Sequence, residues 1–255
     1  MKKTALIFAA LAVAGVSYAA DNVNVTTKPS YSVTSDFSYT SEYVFRGIKN
    51  SNAAFQGSVE VGQDDVRVGL WTSRPINGKG EDNNEIDFYA GYKVKLDRDL
   101  TADFVATYYY YPEAVAGQTH NSYELGVGGT YDLGGLNPGF AGVSTSLYYY
   151  YDFRLKSQTI QASLGYSLAL KEIGTSLDFS VFAGMVSANN VAPDAAGPEI
   201  SEAYNYYGIG LNIPYKLAEN AQVHIGGSFS THDKLFYGVD PKETLAFNAG
   251  LTIGF

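Results

Sequence analysis

The chain contains no cysteine, so neither a disulfide framework nor thiol chemistry enters the reading. Among its 255 residues are one tryptophan, eight prolines and three histidines: His120, His224 and His232. Positive charge is also scarce. Against 26 Asp and Glu stand 17 Lys and Arg, a formal net charge of −9. With no basic stripe to neutralise phosphates, nucleic acid is excluded as a partner. Past residue 19, no apolar run approaches the roughly 18 residues that a membrane helix requires. A nucleophile elbow, a metalloprotease His-Glu-x-x-His and a phosphate loop are all missing. A hydrolase at the rim built on His232-Asp233 ranks a distant third among the readings, because no serine partner stands out. The stretch Gly78 to Glu85 is acidic but lacks the spacing of a dedicated Ca²⁺ loop. The reading is therefore not an enzyme, with no metal and no cofactor.

What is present begins at the N-terminus. Lys2 and Lys3 precede an apolar stretch from Thr4 to Val16, and Ser17-Tyr18-Ala19 supplies the small-x-small pattern that a signal peptidase reads. The expected organisation is a signal peptide over 1–19, a flexible periplasmic tail over 20–30 and the folded body over 31–255. Loss of the two lysines takes the formal charge from −9 to −11.

That body is rich in Tyr (22), Phe (14) and Gly (27), while its mean hydropathy is a near-neutral −0.11. Strict alternation of lipid-facing and lumen-facing residues averages to such a value. Period-two segments run from Tyr31 to the last residue. The first, 31–46, sets Val33, Phe37, Tyr39, Tyr43 and Phe45 against Asp36, Glu42 and Arg46. The last sets Leu245, Phe247, Leu251, Ile253 and Phe255 against Thr244, Asn248 and Thr252. Ten more lie near 54–62, 65–74, 84–96, 100–111, 121–132, 140–152, 157–170, 175–187, 201–214 and 220–231, making twelve. Long connections at 75–83, 112–120, 188–200 and 232–243 largely alternate with tight turns at 63–64, 97–99 and 171–174. The fold class expected is all-β: a transmembrane antiparallel up-and-down barrel of about twelve strands with both termini periplasmic. Aromatics are expected to fall at two levels. Tyr43, Phe45, Trp71, Tyr108–Tyr111, Tyr148–Tyr151, Tyr204, Tyr206 and Tyr207 belong to the outer level, and Tyr92, Tyr131, Phe140, Tyr166, Tyr215 and Phe255 to the inner.

One stretch carries a resemblance. Ser41-Glu42-Tyr43-Val44-Phe45-Arg46-Gly47-Ile48, then Phe55-Gln56-Gly57, then Gly69-Leu70-Trp71-Thr72-Ser73 resembles the TorF-like porins, also known as the Gcw_chp family of uncharacterised bacterial outer-membrane proteins. Glu85 to Tyr92, Tyr109-Tyr110-Tyr111-Pro112 and Tyr123-Glu124 continue it in order, over roughly the N-terminal half. Leu70 departs from the family's Gly-Cys-Trp pattern, and Lys49-Asn50 stands where Ser-Gln is more usual. The resemblance implies the outer membrane of a Gram-negative cell. Family knowledge also reads the terminal Phe255 as the signal for the barrel assembly machinery.

The inward faces carry the acids Asp36, Glu42, Glu60, Glu85, Asp87, Asp103, Glu124, Asp178 and Glu202, against the bases Arg46, Arg67, Lys93 and Lys95. Glu60 is expected to face Arg67, and Lys93 to face Asp103, each pair worth about 0.2–1 kcal/mol. That leaves seven acids against two bases, several of them near the outer mouth, where carboxylates select cations. The pore-lining candidates are Glu42, Arg46, Arg67, Trp71, Glu85, Asp87, Glu124, Asp178 and Glu202. Inward Gly126, Gly128, Ser144, Ser163 and Gly208 are expected to keep the lumen roomy. The reading that follows is a passive channel for small polar or cationic solutes with mild cation preference, embedded in outer-membrane lipid. The alternative is a non-conducting structural or partner-binding barrel.

Overall fold

The computed structural model describes residues 31–76, 84–233 and 242–255. The expected signal peptide and tail, Lys79 and Asp240 lie outside the described residues. Twelve strands form the wall: β1 (Ser32–Thr40), β4 (Ala54–Gln63), β5 (Val66–Pro75), β6 (Glu85–Lys95), β7 (Leu100–Tyr110), β8 (Asn121–Asp132), β9 (Val143–Asp152), β10 (Ser157–Leu170), β11 (Thr175–Ala188), β12 (Glu202–Ala218), β13 (Ala221–His232) and β14 (Glu243–Gly254). Between β1 and β4, β2 (Tyr43–Phe45) and β3 (Ile48–Ser51) pair only with each other. Each wall strand pairs antiparallel with its neighbours, and β1 pairs with both β4 and β14, so the sheet closes without an edge. Closure satisfies the backbone ladder internally, which hydrocarbon demands.

The period-two pattern builds this wall directly. Along β10, Ser157, Thr159 and Ser163 are buried while Ile160, Leu164 and Tyr166 are exposed. Along β1, Asp36 is buried and Phe37 is 59% exposed. A water-soluble domain hides its apolar face; this one hides its polar face and presents Phe, Leu, Val and Tyr outward.

An even number of wall strands leaves Ser32 and Gly254 at one end of the barrel. The opposite end, called the mouth, carries the β2–β3 segment and the connections after β5, β7, β9, β11 and β13. The termini end carries the Asp64-Asp65 turn, 96–99, the two short 3₁₀ turns at Leu133–Gly135 and Pro138–Phe140, 171–174 and 219–220. The separation of loop classes by end largely follows the sequence expectation, the short 153–156 connection at the mouth and the longer 133–142 connection at the termini end excepted.

The first strand does not. It ends at Thr40, and Tyr43, Phe45 and Arg46 leave the wall for a hairpin turned into the lumen. Arg46 and Gly47 form its two-residue turn, both with positive φ (49° and 78°). That backbone matches the right-handed twist of the flanking strands and reverses the chain.

Candidate functional site

The hairpin defines the mouth. Tyr43 packs its ring 5.4 Å from Trp71 of β5 and donates its hydroxyl to Glu85 Oε2 of β6 at 2.8 Å. Phe45 lies 6.2 Å from the Tyr109 ring of β7. Arg46 donates to both oxygens of Glu124 on β8, each at 2.8 Å, with its guanidinium 4.8 Å from the Tyr150 ring of β9. At the tip, a Cβ on Gly47 would stand 2.5 Å from the Tyr206 Cβ of β12 and 3.3 Å from the Thr231 carbonyl of β13. Only glycine fits there. A segment rooted in β1 and β4 thus reaches most of the way around the lumen wall.

Five expectations are corrected. Tyr43 and Phe45 are not in a lipid-facing girdle; Tyr43 is buried in the lumen and Phe45 turns toward Tyr109. The tetratyrosine runs split, as period two requires. Tyr108, Tyr110 and Tyr149 face outward, while Tyr109, Tyr148 and Tyr150 turn in, together with Trp71, Tyr204 and Tyr206. Glu60 does not face Arg67. The turn sits one residue further on, so Glu60 opposes Gly69, and Arg67 reaches Glu60 only diagonally at 3.9 Å. Its close partner is Asp103, at 2.9 and 3.1 Å, although Lys93 holds the register position opposite Asp103 as expected. Glu85 and Asp87 do not open onto water: they are 3% and 2% exposed, covered by the hairpin. Finally, the surplus of seven unpaired acids over two bases shrinks, because Arg46 holds Glu124, Lys49 holds Glu42 and His224 hydrogen-bonds Asp36 at 3.0 Å.

The remaining candidates fall on the inward face. Trp71, Glu85, Asp87 and Glu124 converge beneath the hairpin. Arg67 belongs to a second layer, with Glu60, Asp103, Tyr89 and Tyr148, whose hydroxyls donate to Glu60 and Asp103 at 3.1 and 3.2 Å. Asp178 accepts from Ser167 at 2.6 Å near the termini end, away from both layers. Glu202 opens β12 at the mouth, opposite Ala188. Outside the wall, Asp233 is held below the usual carboxylate range by the backbone N–H and side-chain amide of Asn205. Arg154 and the His120 N–H both bind Asp194, tying three loops of the rim together.

The inward glycines act less simply than as spacers. Cβ atoms on Gly126, Gly128 and Gly208 would fall 2.6, 2.3 and 2.2 Å from the rings of Tyr150, Tyr148 and Phe182. Each ring therefore lies over a cross-strand glycine, flat along the wall. The space gained belongs to the lumen because the rings do not point across it.

Sequence reasoning missed Lys49, Tyr43, Tyr109, Tyr150 and Tyr206 as lumen groups. An Arg-Gly pair directly after the short apolar run Tyr43-Val44-Phe45 was the available signal for the hairpin.

A closed twelve-strand antiparallel barrel, apolar outside and polar inside, is the architecture of outer-membrane porins. Solved structures agree. The NanC porin is 12% identical, with a TM-score of 0.53 over 87% of this chain and 98% of its own. The KdgM porin is 11% identical, with a TM-score of 0.53 over 87% and 99%. The COG4313 outer membrane channel from Pseudomonas putida F1 is 12% identical, with a TM-score of 0.53 over 93% and 100%. At such identities the likeness is one of fold. No curated protein matches the chain. Residues 24–178 match the model of Gcw_chp, a bacterial protein of unknown function, and the chain belongs to that family.

Proposed function

We propose that the protein is a TorF-like porin: an outer-membrane channel, exported on the 1–19 signal peptide, with both termini periplasmic, through which small polar solutes diffuse. It carries no catalytic role in this reading, and Phe255 hands it to the barrel assembly machinery. The observation that carries the reading is the wall itself, with charged and hydroxyl side chains inside a closed sheet and lipid-compatible ones outside. Rings lying over Gly126, Gly128 and Gly208 keep those side chains along the wall, which supports a channel. The hairpin supplies the constriction, and selectivity is set there. Glu85 and Asp87 face tyrosines at that level, whereas Arg46 is already matched by Glu124. Acids still outnumber bases along the inward faces, and Glu85 and Asp87 act through the covering hairpin and not from open water, so a mild cation preference follows, screened over about 10 Å at 0.1 M salt. The KdgM porin has been solved with disordered oligogalacturonate, an acidic ligand; this lumen favours the opposite charge.

The hairpin also favours a second reading, a barrel shut at its mouth that acts as a structural or partner-binding protein. Reversal potentials across a salt gradient separate the two. The channel reading expects cation preference at low salt that fades at high salt. Glu85→Gln with Asp87→Asn is expected to move the reversal potential toward zero. Anion preference in the unmodified protein refutes the electrostatic argument, and an unchanged potential in the double variant removes these carboxylates from the filter.

A further inference from the structure

Arg46 occupies a turn position that does not suit it. In a two-residue hairpin turn with both φ positive, Asn, Asp or Gly is favoured, and a long side chain at φ 49° is uncommon. The turn gains nothing from arginine; the guanidinium gains a place to go. It meets Glu124 fork to fork, with Nη1 on Oε2 and Nη2 on Oε1, both at 2.8 Å. The Tyr109 hydroxyl donates to the same Oε1 at 3.1 Å and fixes the carboxylate. The Tyr150 ring lies 4.8 Å from the guanidinium carbon, and the ring of Phe45, from the hairpin itself, lies at 4.7 Å. Planar bidentate pairing with aromatic stacking is how proteins recognise a guanidinium as a ligand.

The occupant is tethered but not woven in. β2 and β3 form their own two-stranded sheet, so the hairpin lifts without breaking the barrel ladder. Below it, Asp87 is 2% exposed, and its Oδ1 has no hydrogen-bond partner among the described residues. That is an unanswered acceptor opposite Tyr109, whose hydroxyl holds Glu124.

We propose that Glu124, Tyr109 and Tyr150 form a binding site for the guanidinium group of a solute, and that Arg46 is its built-in competitor, displaced when the solute arrives. The proposal deepens the channel reading by naming the substrate class. Its test does not require current. Trp71 is the single tryptophan, 4% exposed and packed at a tilt against Tyr43 of the hairpin, so its emission reports hairpin departure.

The full chain, folded in detergent micelles and verified by heat-modifiable gel mobility, is titrated with methylguanidinium chloride against sodium chloride of equal ionic strength. The native barrel is expected to give a saturable red shift of Trp71 emission and a saturable rise in melting midpoint. In Arg46→Met, which removes the guanidinium, the rise should saturate at a concentration at least tenfold lower, because no competitor remains. In Arg46→Met with Glu124→Gln, saturation should vanish. Should Arg46→Met fail to fold, Arg46→Lys, which keeps the charge but not the fork, is expected to show the same direction of change. Native emission that responds alike to both salts, or variants that saturate at the native concentration, overturns the proposal. A barrel that binds methylguanidinium in this pattern yet passes no current keeps the site and removes the channel reading.

Discussion

Substituting arginine for Leu164 puts a guanidinium on the barrel exterior near the middle of β10. Leu164 is 48% exposed, and its cross-strand neighbours Thr145 and Val181 offer no counter-charge. With a rise of about 3.3 Å per residue and a tilt of about 40°, it sits about 15–18 Å in height from either end of the strand. That is close to the midplane of an apolar band about 25 Å tall, where an outward arginine costs about 2–4 kcal/mol. Ser163, one residue away, faces the lumen and lies 2.6 Å from the Ser146 hydroxyl. Arginine there loses one neutral hydrogen bond, about 1 kcal/mol, and its charge stays on the polar, inward side of the wall, away from lipid. Urea titration of both variants in lipid vesicles, read by gel mobility, is expected to lower the Leu164→Arg midpoint by about 1–2 M and to leave Ser163→Arg near the native value. Ser163→Arg should instead reduce conductance. Equal midpoints for the two variants refute the assignment of inside and outside along β10, and with it the membrane-facing exterior.

Two further predictions rest on the wall and its orientation. Gly128→Val drives a side chain into the Tyr148 ring, which a Cβ alone would meet at 2.3 Å; the ring must leave the wall, costing about 1–3 kcal/mol and narrowing the lumen. Assembly with lowered conductance is expected, and unchanged conductance counts against the role given to the glycines. An epitope tag at Gln118, in the connection between β7 and β8, should be visible on intact cells, as should tags at Lys79 and Asp240; labelling only after permeabilisation reverses the orientation.

The wall was readable because period two leaves little freedom. Along β10 and β14 each residue has one of two environments, and a slip by one would expose every serine to lipid. The strand bounds read from the alternation accordingly match the observed ones to within a few residues, except at β1. There the same alternation continues past Thr40 through Tyr43 and Phe45, so a wall strand and an inward hairpin look alike. Only the positive-φ turn at Arg46-Gly47 distinguishes them, and turn chemistry is a weaker signal than periodicity. The site was less legible for the same reason. Inwardness of Glu85, Asp87 and Glu124 followed from parity, but what stands over them depends on tertiary placement of a loop. Partner choice is likewise tertiary: Arg67 prefers Asp103, two strands away, over the nearer-in-sequence Glu60. The runs of four tyrosines lie at the expected end of their strands, but they could not all join a lipid-facing girdle, since adjacent residues of a strand cannot share a face.

The central claim is a polar conduit narrowed by one hairpin, and single-channel recording tests it most directly. Thr40 and Ala54 are register partners in the β1–β4 pair, so residues 41–53 can be replaced by an Asn-Gly turn without moving the wall. The account predicts small, cation-preferring steps for the native barrel in a planar bilayer and steps several times larger for the shortened one. A shortened barrel that assembles fully and still passes no current contradicts it.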